Sequence, residues 1–140
     1  MKRFILIIPF VCILFTLLGC QSETKEMVVL DKITKISVSN SEGFGGLNEN
    51  YIFSSQENKI TSIFEGTIER STLVNKEISQ VTPDYDILVE YENQDTQGLN
   101  LILGSSDQES YLTYIGYEDK VYRISRSDIE IVRGLLKKGT

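Results

Sequence analysis

The chain has no histidine and no tryptophan, and its two cysteines, Cys12 and Cys20, both fall within the first 20 of its 140 residues. Without His there is no His-dependent triad, proton shuttle or mixed zinc site, because no other unperturbed side chain changes charge near neutral pH. The cysteines sit inside or at the edge of an apolar run, so they neither staple nor activate the rest of the chain. Clustered cations are scarce as well. Of 14 Lys plus Arg against 20 Asp plus Glu, the pair Lys137-Lys138 lies at the extreme C-terminus, which disfavours nucleic acid as a partner. The length supports one domain.

What is present begins with an address. Lys2 and Arg3 precede an apolar run from Phe4 to Leu18, broken only by Pro9 and Thr16, and residues 1–19 read as a signal peptide. A membrane-spanning anchor is the competing reading. At about 1.5 Å per residue the run reaches only about 22 Å, against a hydrocarbon core of about 30 Å. The run closes on Leu17-Leu18-Gly19-Cys20, which resembles the lipobox of bacterial lipoproteins. That resemblance implies a diacylglycerol on the Cys20 thiol, palmitate-type acylation, cleavage just before Cys20, and a protein held on the extracytoplasmic face of the cell membrane. Small Gly19 gives a peptidase room at the backbone, and a thiolate is a strong nucleophile for alkylation. Gln21 follows, so the Asp that retains Gram-negative lipoproteins at the inner membrane is missing.

Lys2 and Arg3 are two of the 14 cationic residues, so residues 20–140 carry 12 against 20 acidic residues, a net charge of −8. Adhesion to an anionic leaflet is disfavoured. Two fatty chains on Cys20 are enough for stable anchoring.

Residues 20–30 read as the lipidated N-terminus and a polar tether, and residues 31–138 as the folded domain. Ser22-Glu23-Thr24-Lys25 fits the Ser-x-x-Lys pattern of penicillin-binding proteins, but the companion motifs are missing and the chain is too short for that fold. Asp31 to Asn40 alternates as a strand, ended by Gly43-Phe44-Gly45-Gly46. Ser54 and Glu57 form a capping box for a helix over residues 55–70, with Ile60, Ile63, Phe64, Thr67 and Ile68 on one face. An irregular or short-strand connection runs on to Pro83. From Asp84 to Glu92, Tyr85, Ile87, Val89 and Tyr91 occupy one face and Asp84, Asp86, Leu88, Glu90 and Glu92 the other, a strand with one buried side. Leu99 to Leu103, Tyr111 to Ile115 and Val121 to Ile124 continue as a meander, with residues 116–120 as its last turn. Ser127-Asp128-Ile129-Glu130 then caps a final helix with an Ile129, Val132, Leu135 and Leu136 stripe, in which Gly134 suggests close packing on the sheet. The order β-α-β-β-β-β-α predicts an α+β fold: a single antiparallel sheet with two helices on one face and the acidic strand face in water.

Asp31 to Ser39, Gly43 to Gly46, Pro83-Asp84-Tyr85-Asp86, Leu101 to Gly104 and Tyr122 to Ser125 resemble the YhfM-like domain of Bacillus-type surface lipoproteins. The match spans about residues 31–138 and implies a small secreted α+β domain of a Gram-positive envelope protein, with no established activity to carry over. Ile102 stands where such domains often carry an aromatic.

Candidate chemistry is sparse. Asp84, Asp86, Glu90 and Glu92 could hold a hard cation, yet a flat carboxylate ladder spreads ligands that a calcium loop would converge, and the expectation is a solvated face without metal. A glycosidase-type acid and base would need a cleft that separates their environments. The glycine cluster lacks the Lys-Ser/Thr pair of a phosphate loop. Tyr111, Tyr114, Tyr117 and Tyr122 form a candidate interaction surface for a sugar or protein partner. No cofactor is implied. The favoured reading is a non-catalytic binding module of the cell envelope, with an envelope protein or wall polymer as partner and the membrane reached through Cys20. The alternative is a hydrolase that uses carboxylates or Tyr.

Overall fold

The computed structural model describes residues 25–139, so the expected signal peptide, the lipobox-like Leu17, Leu18 and Gly19, and the expected lipid attachment at Cys20 lie outside the described residues. Seven strands and two helices follow in the order β1 (Ile33–Asn40), β2 (Tyr51–Ser55), α1 (Asn58–Arg70), β3 (Thr72–Val74), β4 (Tyr85–Tyr91), β5 (Thr96–Ile102), β6 (Ser110–Tyr114), β7 (Tyr117–Ile124) and α2 (Arg126–Gly139). All the strands join one antiparallel sheet, arranged β2-β1-β4-β5-β6-β7-β3. The α+β class, the single sheet and the two helices on one face are as the sequence predicts.

The alternation in β4 sets the sheet's inner face. Val38 stands opposite Ile87, Ile87 opposite Leu99, Tyr85 opposite Leu101, Leu101 opposite Leu112, and Leu112 opposite Tyr122. Cross-strand partners share a face, so these residues make one apolar surface. Phe64 and Ile68 of α1 and Ile129, Val132 and Leu136 of α2 close over it as one core. A register shift between Ile33 and Lys35 lets Ile33 join Ile36 and Val38 on that face despite the odd spacing.

Several expectations are corrected. The sheet gains two edge strands: β2, which the predicted order lacks, and β3, which falls in the connection expected to be irregular or a short strand. Ser54 does not cap α1: it lies in β2 opposite Ser37, and its hydroxyl donates to Ser37 Oγ at 2.9 Å. The helix instead starts at Asn58 behind Glu57, with no side-chain cap. The second capping box forms two residues earlier than expected. Asp128 N donates to Ser125 Oγ at 3.2 Å while Ser125 Oγ donates to Asp128 Oδ2 at 2.7 Å, because the last strand runs directly into α2. The turn placed at residues 116–120 is only Ile115-Gly116, with Gly116 at φ 91°, and β7 resumes at Tyr117. Gly134 does not pack on the sheet, since a Cβ there would meet open space.

The face opposite the helices is not simply wet. Phe44 from the β1–β2 loop and Ile78 from the β3–β4 loop fold onto it and pack with Val74, Ile102, Tyr111 and Val121 as a second small core. The acidic strand face expected in water therefore splits. Asp86 is buried, Glu90 is half-buried, and Asp84 and Glu92 are exposed.

Candidate functional site

Residues 25–30 do not behave as a free tether. Leu73 N donates to Lys25 O at 2.7 Å, Glu26 bridges to Thr72, and Met27 N donates to Ser71 O at 3.3 Å. Met27 is 4 % exposed and belongs to the main core, and Val29 packs against it. In an extended segment alternate side chains face opposite ways, so Val28 and Leu30 point outward, 49 % and 48 % exposed. The domain boundary thus moves from Asp31 back to Lys25, leaving only residues 21–24 between Cys20 and the docked segment.

Two tyrosines grip this strap. The Tyr114 hydroxyl accepts from Val28 N at 2.9 Å and donates to Val28 O at 3.3 Å, satisfying both backbone groups with one side chain. Tyr91 reaches the Leu30 backbone and also donates to Gln97 Oε1. Burial is the main cause that pushes the Tyr91 hydroxyl up to about 12 and raises Tyr114 as well. Tyr114 stands edge-to-face on Tyr122, with ring centroids 5.8 Å apart.

The four tyrosines therefore do not form one surface. Tyr114 and Tyr122 face the helices, with Tyr122 buried; Tyr111 is buried on the opposite face; and only Tyr117 stands free, 67 % exposed. Side chains alternate along a strand, so Tyr111 and Tyr114 project from opposite sides of β6. Tyr111 donates to Glu109 Oε2 at 2.6 Å, Arg123 pairs with Glu109 at 3.2 Å, and the Lys76 ammonium lies 5.7 Å from the Tyr111 ring centre. Burial and the Glu109 bond push the Tyr111 hydroxyl up to about 12, while the same bond and Arg123 lower the Glu109 carboxyl.

Around Tyr117 the surface forms a shallow groove of about 440 Å³, lined by Val28, Thr96, Gln97, Gly98, Tyr114, Ile115 and Tyr117. None of these side chains is charged, which sets the groove apart on a chain whose residues 20–140 carry a net charge of −8. Ile115 lies across Gly98, where a Cβ would stand 3.0 Å from Ile115 Cδ1, so any larger residue there would have to displace the Ile115 side chain from the groove floor. A smaller depression of about 230 Å³ lies between β6, β7 and α2 and contains Arg123, Arg126, Arg133, Glu109 and Glu130. Its charges are largely engaged within the fold: Arg133 Nη2 donates to the carbonyls of Leu103 at 2.7 Å and Gly104 at 3.0 Å, and Arg123 holds Glu109.

The acidic strand supplies no convergent ligand set. Asp84 Oδ2 accepts from Leu103 N at 2.7 Å, Glu90 pairs with Lys35 at 3.2 Å, and Asp86 is taken up by Asn48 N and Asn100 Nδ2, each at 2.8 Å. Among the described residues no group of three or more Asp, Glu, Cys or His converges on a point. Sequence reasoning missed the Val28 and Leu30 strap and the Gly98–Ile115 floor. The apolar Met27-Val28-Val29-Leu30 run was the available signal for the strap.

No protein-family model matches the chain, and no curated protein matches it. Among solved structures, a thioesterase-like protein from Clostridium sporogenes superimposes with a TM-score of 0.53 at 18 % identity, covering 73 % of this chain and 92 % of that one. The likeness is one of fold.

Proposed function

We propose that this chain is a lipid-anchored extracytoplasmic protein of a bacterial cell envelope, and that its folded domain binds a partner in place of turning over a substrate. The observation that carries the anchoring is Leu17-Leu18-Gly19-Cys20 behind a cationic start and an apolar run too short to span. The YhfM-like resemblance favours the same Gram-positive surface setting. Five residue steps from Cys20 to the docked Lys25 span at most about 17 Å, so the anchor would hold the domain close to the bilayer. The partner would meet the uncharged groove at Tyr117, which has the aromatic and apolar character of binding surfaces on an otherwise acidic protein.

Metabolic labelling with palmitate tests the anchor: label on the intact chain that vanishes in Cys20→Ser is expected, and equal labelling of both refutes it. Crosslinking in cells from position 117, where the side chain is free, should capture an envelope component, whereas position 111 should not.

A hydrolase is the second reading, favoured by the shared fold with a thioesterase-like protein. A nucleophilic Tyr needs a lowered pKa or a strong neighbouring base. Tyr111 runs the other way, with its hydroxyl up at about 12 and its Glu109 partner made a weaker base. Turnover of acyl thioesters, esters or glycans by the purified protein would decide for catalysis.

A further inference from the structure

The sheet face turned away from the helices carries a row of polar side chains where a core would ordinarily be apolar. Ser39, Asp86, Asn100 and Thr113 stand opposite one another on β1, β4, β5 and β6. All four are sealed from solvent, with Asn100 and Thr113 at 0 % exposure and Asp86 at 1 %. The β1–β2 loop lies over them. Its Asn48 donates its backbone N–H to Asp86 Oδ2 and its carbonyl accepts from Ser39 Oγ, while Phe44 packs into the small core beside the row. Glu118 Oε1 accepts from Gly45 N at 3.3 Å and Gly116 N at 2.8 Å, tying the loop's tip to the β6–β7 turn.

The hydrogen bonds of this row do not close. Asp86 receives two donors, from Asn48 N and Asn100 Nδ2, and forms no ion pair among the described residues. Asn100 Oδ1 and Thr113 Oγ1, on directly opposed residues, have no partner at all. A carboxylate offers about four lone-pair sites and an amide oxygen two, while the Thr hydroxyl supplies a single proton, so what the row lacks is donors. Buried polar atoms are almost always satisfied, and a buried carboxylate without a counter-charge is costly.

We infer that this row is a binding site for one small electropositive guest, a water molecule donating its protons or a monovalent cation of its size coordinated by the oxygens, held between Asn100 Oδ1 and Thr113 Oγ1 beside the Asp86 carboxylate. Water supplies the missing donors, whereas a cation is coordinated by the same lone pairs and also supplies the absent counter-charge. The covering loop limits it to one small species, since the Asn48 backbone is bonded to both Ser39 and Asp86 of the row.

Crystals of the intact protein grown in rubidium chloride test this directly. A density peak within hydrogen-bond or coordination distance of both Asn100 Oδ1 and Thr113 Oγ1 is expected: an anomalous signal there marks a cation, and its absence marks water. No peak between the two atoms overturns the site. A melting experiment reads the same point independently. Thr113→Val removes a partner of the guest and should lower Tm by about 3–5 °C. If the hydroxyl is a true orphan, the same change removes an unsatisfied group and leaves Tm unchanged or raises it, which overturns the proposal. In the cation case rubidium raises the Tm of the wild type and leaves Asp86→Asn unmoved.

Discussion

Met27→Ala asks whether residues 25–30 are part of the fold or a tether laid against it. Met27 is 4 % exposed, sits in the main core and belongs to a segment whose backbone is bonded at Lys25, Met27 and Val28. Truncating a buried Met to Ala costs about 2–5 kcal/mol through lost transfer energy and the cavity left behind. The strap lies at the rim of the core, where neighbours can relax into the space, so the lower end applies, about 2–3 kcal/mol. For a domain of this size that is a fall in Tm of about 8 °C or more. Val28→Ala is the control, because the neighbouring side chain is 49 % exposed and its removal should cost under about 0.5 kcal/mol. Urea unfolding followed by circular dichroism, with a common m-value, measures both. Equal small losses for the two variants would refute the docked strap and return the domain boundary to Asp31.

Tyr114→Phe should cost about 1 kcal/mol in the same assay, because Val28 loses the hydroxyl that serves both its N–H and its carbonyl; a neutral result means water replaces it fully. Gly134→Ala should stabilise by about 0.5–1 kcal/mol, since the position is exposed, inside α2 and open to a Cβ; a loss would show a contact the structure does not contain. Asp128 accepts Arg70 at 2.6 and 3.1 Å and Ser125 at 2.7 Å, and the Arg70 bonds hold its carboxyl below the ordinary 3.8. A carboxyl lowered in the folded state adds stability that is complete above its unfolded value and is lost as pH falls through its folded value. Wild type should therefore be more stable than Asp128→Asn at pH 6 by about 1–2 kcal/mol, a range kept low because Arg70 is 61 % exposed, and the gap should shrink below about pH 4. A gap independent of pH would refute the ion pair as its cause.

The elements legible in the sequence are those whose own side chains announce their burial. β4 carries Tyr85, Ile87, Val89 and Tyr91 at period two, and all four face the helices. The stripes of α1 and α2 likewise reach the core where the spacing placed them. What escaped is what a partner decides. β2 and β3 are strands because β1 and β7 offer them open edges, and their five and three residues have too little pattern to say so alone. Ser54 had the chemistry of a cap, but the ladder to Ser37 claimed it first. The alternation rule sent Asp86 to solvent correctly as to side and wrongly as to environment, because an irregular loop with Phe44 and Asn48 folds over that side. Loops of this kind have no periodicity, so a polar residue on a sheet's second face is exposed only if nothing folds onto it.

The same reasoning bears on what the groove could meet. With Lys25 fixed to β3, the slack between Cys20 and the fold shrinks from ten intervening residues to four, about 17 Å of chain, and a lipid on Cys20 would leave the domain little freedom to swing away from the bilayer. Val28 and Tyr117 both line the groove, so its wall is built partly from the strap that leads toward Cys20. A partner held there would sit beside the membrane, and a net charge of −8 on residues 20–140 would keep a strongly acidic partner away while leaving the uncharged groove open to aromatic or apolar contacts. Inserting a flexible linker of about ten residues after Gln21 separates position from recognition. Capture from position 117 should then decline for a membrane-proximal partner and stay constant for one that the groove binds in solution.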